Sequence, residues 1–273
     1  SDVCSSDLRK KMTDSEWKYF KDFCNRFKNQ IEEWNKKAFN LLSVQQKAME
    51  FFNNAKYDLE TPIVYNTALD EIKSEDDIKL IVIGDNPGKD EQLAKNQKYL
   101  VGQAGKLGNN FFKNHEELGI DFRKNVIILN KTPIHSAKTN QLKKFGSFGG
   151  PEIDNLLEET QIWMAKETAK LHQKLFEENK TKEYPQLWLV GYSELKNKGI
   201  FTKYKEELKN QYSGAEKMND AWKNVFVFQH FSMNRFTIDL GEFSKKNGKN
   251  LPDNLKKQLN LLGTMHKEEI FDL

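Results

Sequence analysis

Apolar residues fall into two patterns along this chain. Four short runs are apolar almost without a break: Leu80-Ile81-Val82-Ile83, Val126-Ile127-Ile128-Leu129, Leu187-Trp188-Leu189-Val190 and Val225-Phe226-Val227-Phe228. Runs of this length, bounded by turn residues, predict strands buried on both faces, at 79–84, 125–130, 186–191 and 225–230. Between them the apolar positions recur at helical spacing, which predicts helices over 105–118, 150–179 and 196–223. Such alternation predicts an α/β fold: a three-layer sandwich whose central, mostly parallel four-stranded sheet is flanked by helices.

The chain ahead of the first strand is helical in pattern too. Trp17, Phe20, Phe23, Phe27, Ile31 and Trp34 recur at spacings of three and four, and a second helix follows over 40–54. Thr13, with Glu16 three residues on, forms a capping box at the start of the first helix. The aromatic stripe predicts a face laid on the body of the protein rather than a binding platform. Near the other end, Leu251, Leu255, Leu259 and Leu262 predict a helix over 250–263. Residues 1–8 follow no helical or strand logic and read as a translated, non-native scar. The remainder, 9–273, reads as one domain with a helical part at 9–77 and a core at 78–240.

Composition narrows the classes. With 43 basic and 40 acidic residues the net charge is +3, so any nucleic-acid footprint has to be local. No apolar stretch is long enough for a membrane helix. Two cysteines cannot hold a disulfide scaffold or a four-thiolate cluster, so a reducing, cytoplasmic setting is expected, with no metal and no cofactor.

Ligands of parallel sheets bind at the carboxyl ends of the strands. Here those ends read Asp85-Asn86, Asn130, Gly191-Tyr192-Ser193 and Gln229-His230-Phe231-Ser232. Three of the four carry an amide, carboxylate or imidazole, a constellation rather than a scatter of turn residues. The first is followed by Pro87-Gly88, and a second glycine turn, Gly102-Gln103-Ala104-Gly105-Lys106, comes soon after.

At these residues the chain resembles the uracil-DNA glycosylase superfamily. Gly84-Asp85-Asn86-Pro87-Gly88 is similar to its first motif, Tyr99-Leu100-Val101-Gly102-Gln103-Ala104-Gly105-Lys106 to a glycine stretch of its iron–sulfur branches, Leu129-Asn130 to a Leu-Leu-Asn segment, and His230-Phe231-Ser232 to the opening of its second motif. The iron–sulfur cysteines are missing, Phe231 replaces a proline, and Leu100 stands where an aromatic usually stacks on the flipped base, with Tyr99 beside it.

The resemblance implies hydrolysis of an N-glycosidic bond in DNA by a monomeric enzyme, with a damaged base flipped into a pocket. It makes Asn86 the residue that positions water and His230 the donor to the departing base. Asp85 either assists Asn86 or caps the following turn. Asn130 reads the base, in a pocket completed by Tyr99, Leu100, Gly84, Pro87 and Gly88. Contacts to the DNA backbone are expected from Gly102, Lys106, Lys131, Ser136, Lys138 and Ser232, with His135, Thr139, Lys143, Lys144 and the amides around Ser147 near by. Met233, Arg235 or Phe236 would enter the duplex from the minor groove. Two alternatives stand beside this: a non-catalytic homologue that binds nucleic acid or a free base, and a nucleotide-binding α/β enzyme. Against the second, the glycine turns have neither P-loop nor dinucleotide-binding spacing.

Overall fold

The computed structural model describes residues 12–53, 56–178, 185–214 and 219–273. The scar read at 1–8 lies outside them. Two helices open the described chain, α1 (Asp14–Lys37) and α2 (Leu41–Phe51), and the capping box forms: Thr13 Oγ1 accepts from Glu16 N at 3.1 Å while Glu16 Oε2 accepts from Thr13 N at 2.6 Å. The sheet follows as β1 (Leu80–Gly84), β2 (Val126–Asn130), β3 (Gln186–Val190) and β4 (Val225–Phe228), all parallel, in spatial order β2-β1-β3-β4. Between and after the strands lie α3 (Gln103–Asn114), α4 (Phe145–Gly149), α5 (Pro151–Glu178), α6 (Tyr192–Leu195), α7 (Thr202–Tyr212), α8 (Arg235–Asn247) and α9 (Leu255–Phe271).

Because strand side chains alternate faces, each apolar run feeds two cores at once. Ile81, Ile83, Ile127, Leu129, Leu187, Leu189, Val225 and Val227 pack beneath α1, α2, α5 and α7. Leu80, Val82, Val126, Ile128, Trp188, Val190, Phe226 and Phe228 pack beneath α3, α8 and α9. This is the three-layer α/β sandwich that the pattern predicts. The aromatic stripe of α1 is buried: Phe27 lies 5.5 Å from Trp163 of α5, and Trp34 meets the same ring edge-on.

Four helices differ from expectation. The one read over 196–223 is helical only as α7 and a 3₁₀ turn at Asp220–Asn224 among the described residues, because the chain turns tightly at Gly199, where a Cβ would stand 2.1 Å from Glu194 O. The one read over 105–118 starts at Gln103 and gives way after Asn114 to a 3₁₀ turn at Glu116–Leu118. The last runs to Phe271 rather than 263, because Ile270 and Phe271 reach around to the first core. Helix α8 was not expected at all. Phe236 and Leu240 anchor it on the second core, and Gly241 sits in the middle of it. Among the described residues no helix is long and apolar enough to cross a membrane.

Candidate active site

Strands β1 and β2 are paired with Gly84 opposite Asn130, so Asp85 and Lys131 leave the sheet side by side. Lys131 Nζ donates to Asp85 Oδ1 at 2.6 Å, to Val190 O at 2.5 Å and to Gly84 O at 3.3 Å. One fully buried ammonium group thereby joins the ends of β1, β2 and β3, lying 5.1 Å from the Phe201 ring. Burial pushes its pKa down and the Asp85 carboxylate works the other way. Two glycines make room for this arrangement. A Cβ on Gly84 would stand 2.4 Å from Asn130 Oδ1, and one on Gly191 would stand 2.2 Å from Asp85 Oδ1. Gly191 also has φ +103°, a conformation that L side chains rarely adopt.

Asp85 is not a cap in this structure, since its carboxylate is committed to Lys131 and Thr139. Thr139 Oγ1 lies 3.2 Å from Asp85 Oδ2 and 3.1 Å from Asn86 Oδ1, one hydroxyl between two acceptors. Asn86 Nδ2 donates to Ser136 Oγ, Ser136 O and Pro87 O at 3.0–3.1 Å. The amide of Asn86 is therefore fixed in orientation. Behind it, buried His135 donates through Nδ1 to Pro87 O at 2.9 Å and accepts from Tyr57 Oη at 3.0 Å through Nε2. Burial lowers the His135 pKa to about 4, which keeps the ring neutral and in that tautomer.

A residue that the sequence did not single out joins the two glycine turns. Glu91 is buried, and its Oε2 accepts from Gly88 N at 2.9 Å. Its carboxylate also takes hydrogen bonds from the backbone at Leu100, Val101 and Gly102. Burial pushes its pKa up to about 7 against those bonds. Leu100 itself has φ +52°. Its carbonyl is gripped by Arg123, and a Cβ on Gly105 would overlap that carbonyl. A lone glutamate in a polar run gives no pattern to read; only closure of the two turns reveals it.

The fourth strand supplies the opposite wall. His230 Nδ1 accepts from Ser232 N at 3.1 Å and lies 2.8 Å from Ser232 Oγ, which leaves Nε2 to carry the proton. Burial lowers the His230 pKa, opposed by Asp85 and reinforced by Lys131. Beyond Ser232, Met233 and Asn234 both have φ +54°, and Met233 is 82% exposed.

These walls enclose a cavity of about 500 Å³, lined by Asp85, Asn86, Gly88, Glu91, Leu100, Gly102, Asn130, Ser136, Lys138, Thr139, His230, Ser232 and Met233, among others. Asn130 is buried, and its Nδ2 has no hydrogen-bond partner among the described residues. A donor left unmet in a pocket wall is costly unless a ligand or water meets it. Among the described residues no group of three or more His, Cys, Asp or Glu is placed to hold a metal ion.

Several expected contacts are not where the sequence suggested. Tyr99 is sealed in the core, its hydroxyl donating to Val64 O at 2.5 Å, so it cannot stack on a base in the cavity. Leu100 lines that space instead. Gly84 and Pro87 act from behind the wall, one by making room for Asn130 and the other by offering its carbonyl to Asn86, Ser136 and His135. Lys131 and His135 are fully buried and reach no phosphate. Ser136 is buried too, and spends its hydroxyl on Lys138 O and Asn86. Lys106 is exposed on α3, away from the cavity lining. Lys143 is paired with Glu194 at 3.0 Å. The Asp154 carboxylate already lies beside the turn around Ser147, about 2 Å from where a Cβ on Gly146 would stand. Of the three wedge candidates, Phe236 is buried in the second core, Arg235 is exposed at the start of α8, and Met233 is exposed and lines the cavity. The chain matches no known protein family and no curated protein.

Proposed function

We propose that this chain is a DNA base-excision glycosylase that hydrolyses the N-glycosidic bond of uracil or a related damaged base. The observation that carries the reading is convergence. Asp85 and Asn86 after β1, Asn130 at the end of β2 and His230 after β4 line one cavity, and Asn130 Nδ2 has no hydrogen-bond partner among the described residues. A flipped base has carbonyl oxygens and a ring N–H along its edge, which one amide can satisfy with both its groups.

In this reading the base enters against Leu100 and the Gly88 and Gly102 turns, with its edge on Asn130. As the glycosidic bond breaks, its electron pair moves onto the base. The neutral His230, with Nε2–H turned away from Ser232, donates to the oxygen where that charge collects. Positive charge builds on the sugar at the same time. Asp85, ion-paired with Lys131, places a carboxylate beside it. Asn86, clamped by Ser136, Pro87 and Thr139, holds the water that adds to the sugar carbon. Met233 fills the space in the stack that the base leaves.

The test is incubation with oligonucleotides carrying uracil, thymine opposite guanine, hydroxymethyluracil, hypoxanthine or xanthine, followed by alkaline cleavage at abasic sites. At least one strand is expected to be cut, and Asn86→Ala to abolish the cut. Intact binding with no cleavage on any of them overturns the enzyme reading.

A further inference from the structure

We propose that the surface around Phe51, at the end of α2, receives a single-stranded stretch of the same DNA beyond the cavity. This rests on the base-excision reading above. Phe51 is 59% exposed, yet its ring is held edge-on by Phe52 at 5.1 Å and by Phe148 of α4 at 5.6 Å. Lys144 Nζ stands 6.0 Å from the ring centroid. Lys47 precedes Phe51 by four residues on α2 and so shares its face of the helix. A fixed aromatic ring with the Lys144 ammonium beside it and Lys47 on the same helix face matches what single-strand binding requires: the ring stacks on a base and the cations meet the phosphates. An apolar protein partner would bury both ammonium groups without partners.

The surface continues from the cavity. Thr139 lines the cavity and begins the 3₁₀-helix Thr139–Lys144, which ends at the lysine over Phe51. At roughly 2 Å per residue the helix spans about 10 Å, or about three stacked nucleotide steps. A second pair lies nearer. Lys89 lines the cavity with its Nζ 4.9 Å from the ring of half-buried Tyr57. Both pairs are anchored to the same rim segment, Tyr57 through His135 Nε2 and α2 through Gln45 Nε2, which donates to His135 O at 2.9 Å. Bases paired inside a duplex offer no face to Phe51, so this surface selects substrates that are unpaired on one side of the lesion.

The experiment compares the parent with Phe51→Ala, Phe51→Trp and Lys144→Ala. Fluorescence anisotropy is read with a 20-nucleotide oligo-dT strand and with a duplex of equal length. Phe51→Ala is expected to lose about tenfold in affinity for the single strand, Lys144→Ala to lose affinity and flatten its salt dependence, and Phe51→Trp to retain binding. Duplex affinity and melting temperature should stay at parental values. Single-strand affinity within twofold of the parent for Phe51→Ala overturns the proposal. So does an equal loss on duplex, or a parental dimer that Phe51→Ala dissociates. Phe51-dependent binding without base release from any lesion would instead sink the enzyme reading and leave this surface standing.

Discussion

On the β1–β2 side of the cavity the polar side chains hold one another. Lys131 fixes Asp85, Thr139 bridges Asp85 and Asn86, and Ser136 fixes Asn86. On the β4 side, among the described residues, the one side-chain partnership is His230 with Ser232, and the next two residues lie in the left-handed region with Met233 in solvent. Under the proposed reaction the first wall has the stiffness that aligning water and charge needs, because misplacement there would cost rate directly. The second has free surface and a strained backbone, features that belong where a partner is to be gripped. Substitutions in the two walls should therefore fail in different ways.

The largest effect is expected at Lys131. Lys131→Met removes the cation and leaves Asp85 buried without it. Breaking a buried pair in this way costs roughly 3–5 kcal/mol, read as a drop in denaturant midpoint. The double variant Asp85→Asn with Lys131→Met should recover most of that stability while remaining without base release, since Met and Asn leave no orphaned charge. Equal instability of single and double variants would mean that the ammonium matters for the strand-end carbonyls and not for Asp85.

His230→Ala comes next, and its signature is the reverse. Removing a single preorganised donor costs about 10²–10³ in turnover. His230 stands at the cavity wall and its ring is bonded only to Ser232 among the described residues, so melting should change little. A fall in melting temperature to match the fall in turnover would place His230 with the structural wall.

Glu91 sharpens the comparison through pH. Its folded pKa, about 7, lies above the ordinary 4.5. A raised carboxyl contributes stability that is fully present below pH 4.5 and is lost as pH rises through about 7. At 1.36 kcal/mol per unit the swing approaches about 3 kcal/mol. His135 acts the other way: with its pKa lowered to about 4, it withdraws stability as pH falls below 6.5. The diagnostic quantity is therefore the difference between parent and Glu91→Gln in melting temperature across pH 4.5–7.5. The parent should lose ground to the variant as pH rises. A constant difference would show that Glu91 does not titrate in this range.

What the sequence could and could not disclose follows from the same geometry. The sheet was legible because buried parallel strands are uninterrupted apolar runs. Their polar ends were legible because any residue after such a run stands at the rim. Lys131 was misread as a surface cation, since a lysine beside a turn gives no sign of burial; its partner Asp85 is 46 residues away and meets it only through the β1–β2 register. Tyr99 was misread for a similar reason: its neighbour Leu100, not Tyr99, turns toward the cavity, a choice made by the Leu100 backbone at φ +52°. Helix α8 has a weak sequence signature because Gly241 stands at its centre and only Phe236 and Leu240 are buried to seat it.

The smallest effect expected is at Met233, where the contrast is sharpest. Its side chain makes no hydrogen bond and buries little, so Met233→Ala should leave stability within about 0.5 kcal/mol of the parent. The backbone at φ +54° is no easier for alanine than for methionine, so strain is conserved. What alanine lacks, under the proposed function, is the reach to occupy the gap left by a flipped base. The variant should weaken binding to lesion duplex by about tenfold, roughly 1.4 kcal/mol, and should bind a duplex with an abasic site opposite the gap less tightly in the same proportion. Once substrate saturates, turnover should return toward the parental value, because the β1–β2 wall is untouched. A loss of turnover that saturating substrate does not restore would mean that Met233 positions the reacting groups, and the division between an aligning wall and a gripping wall would fail.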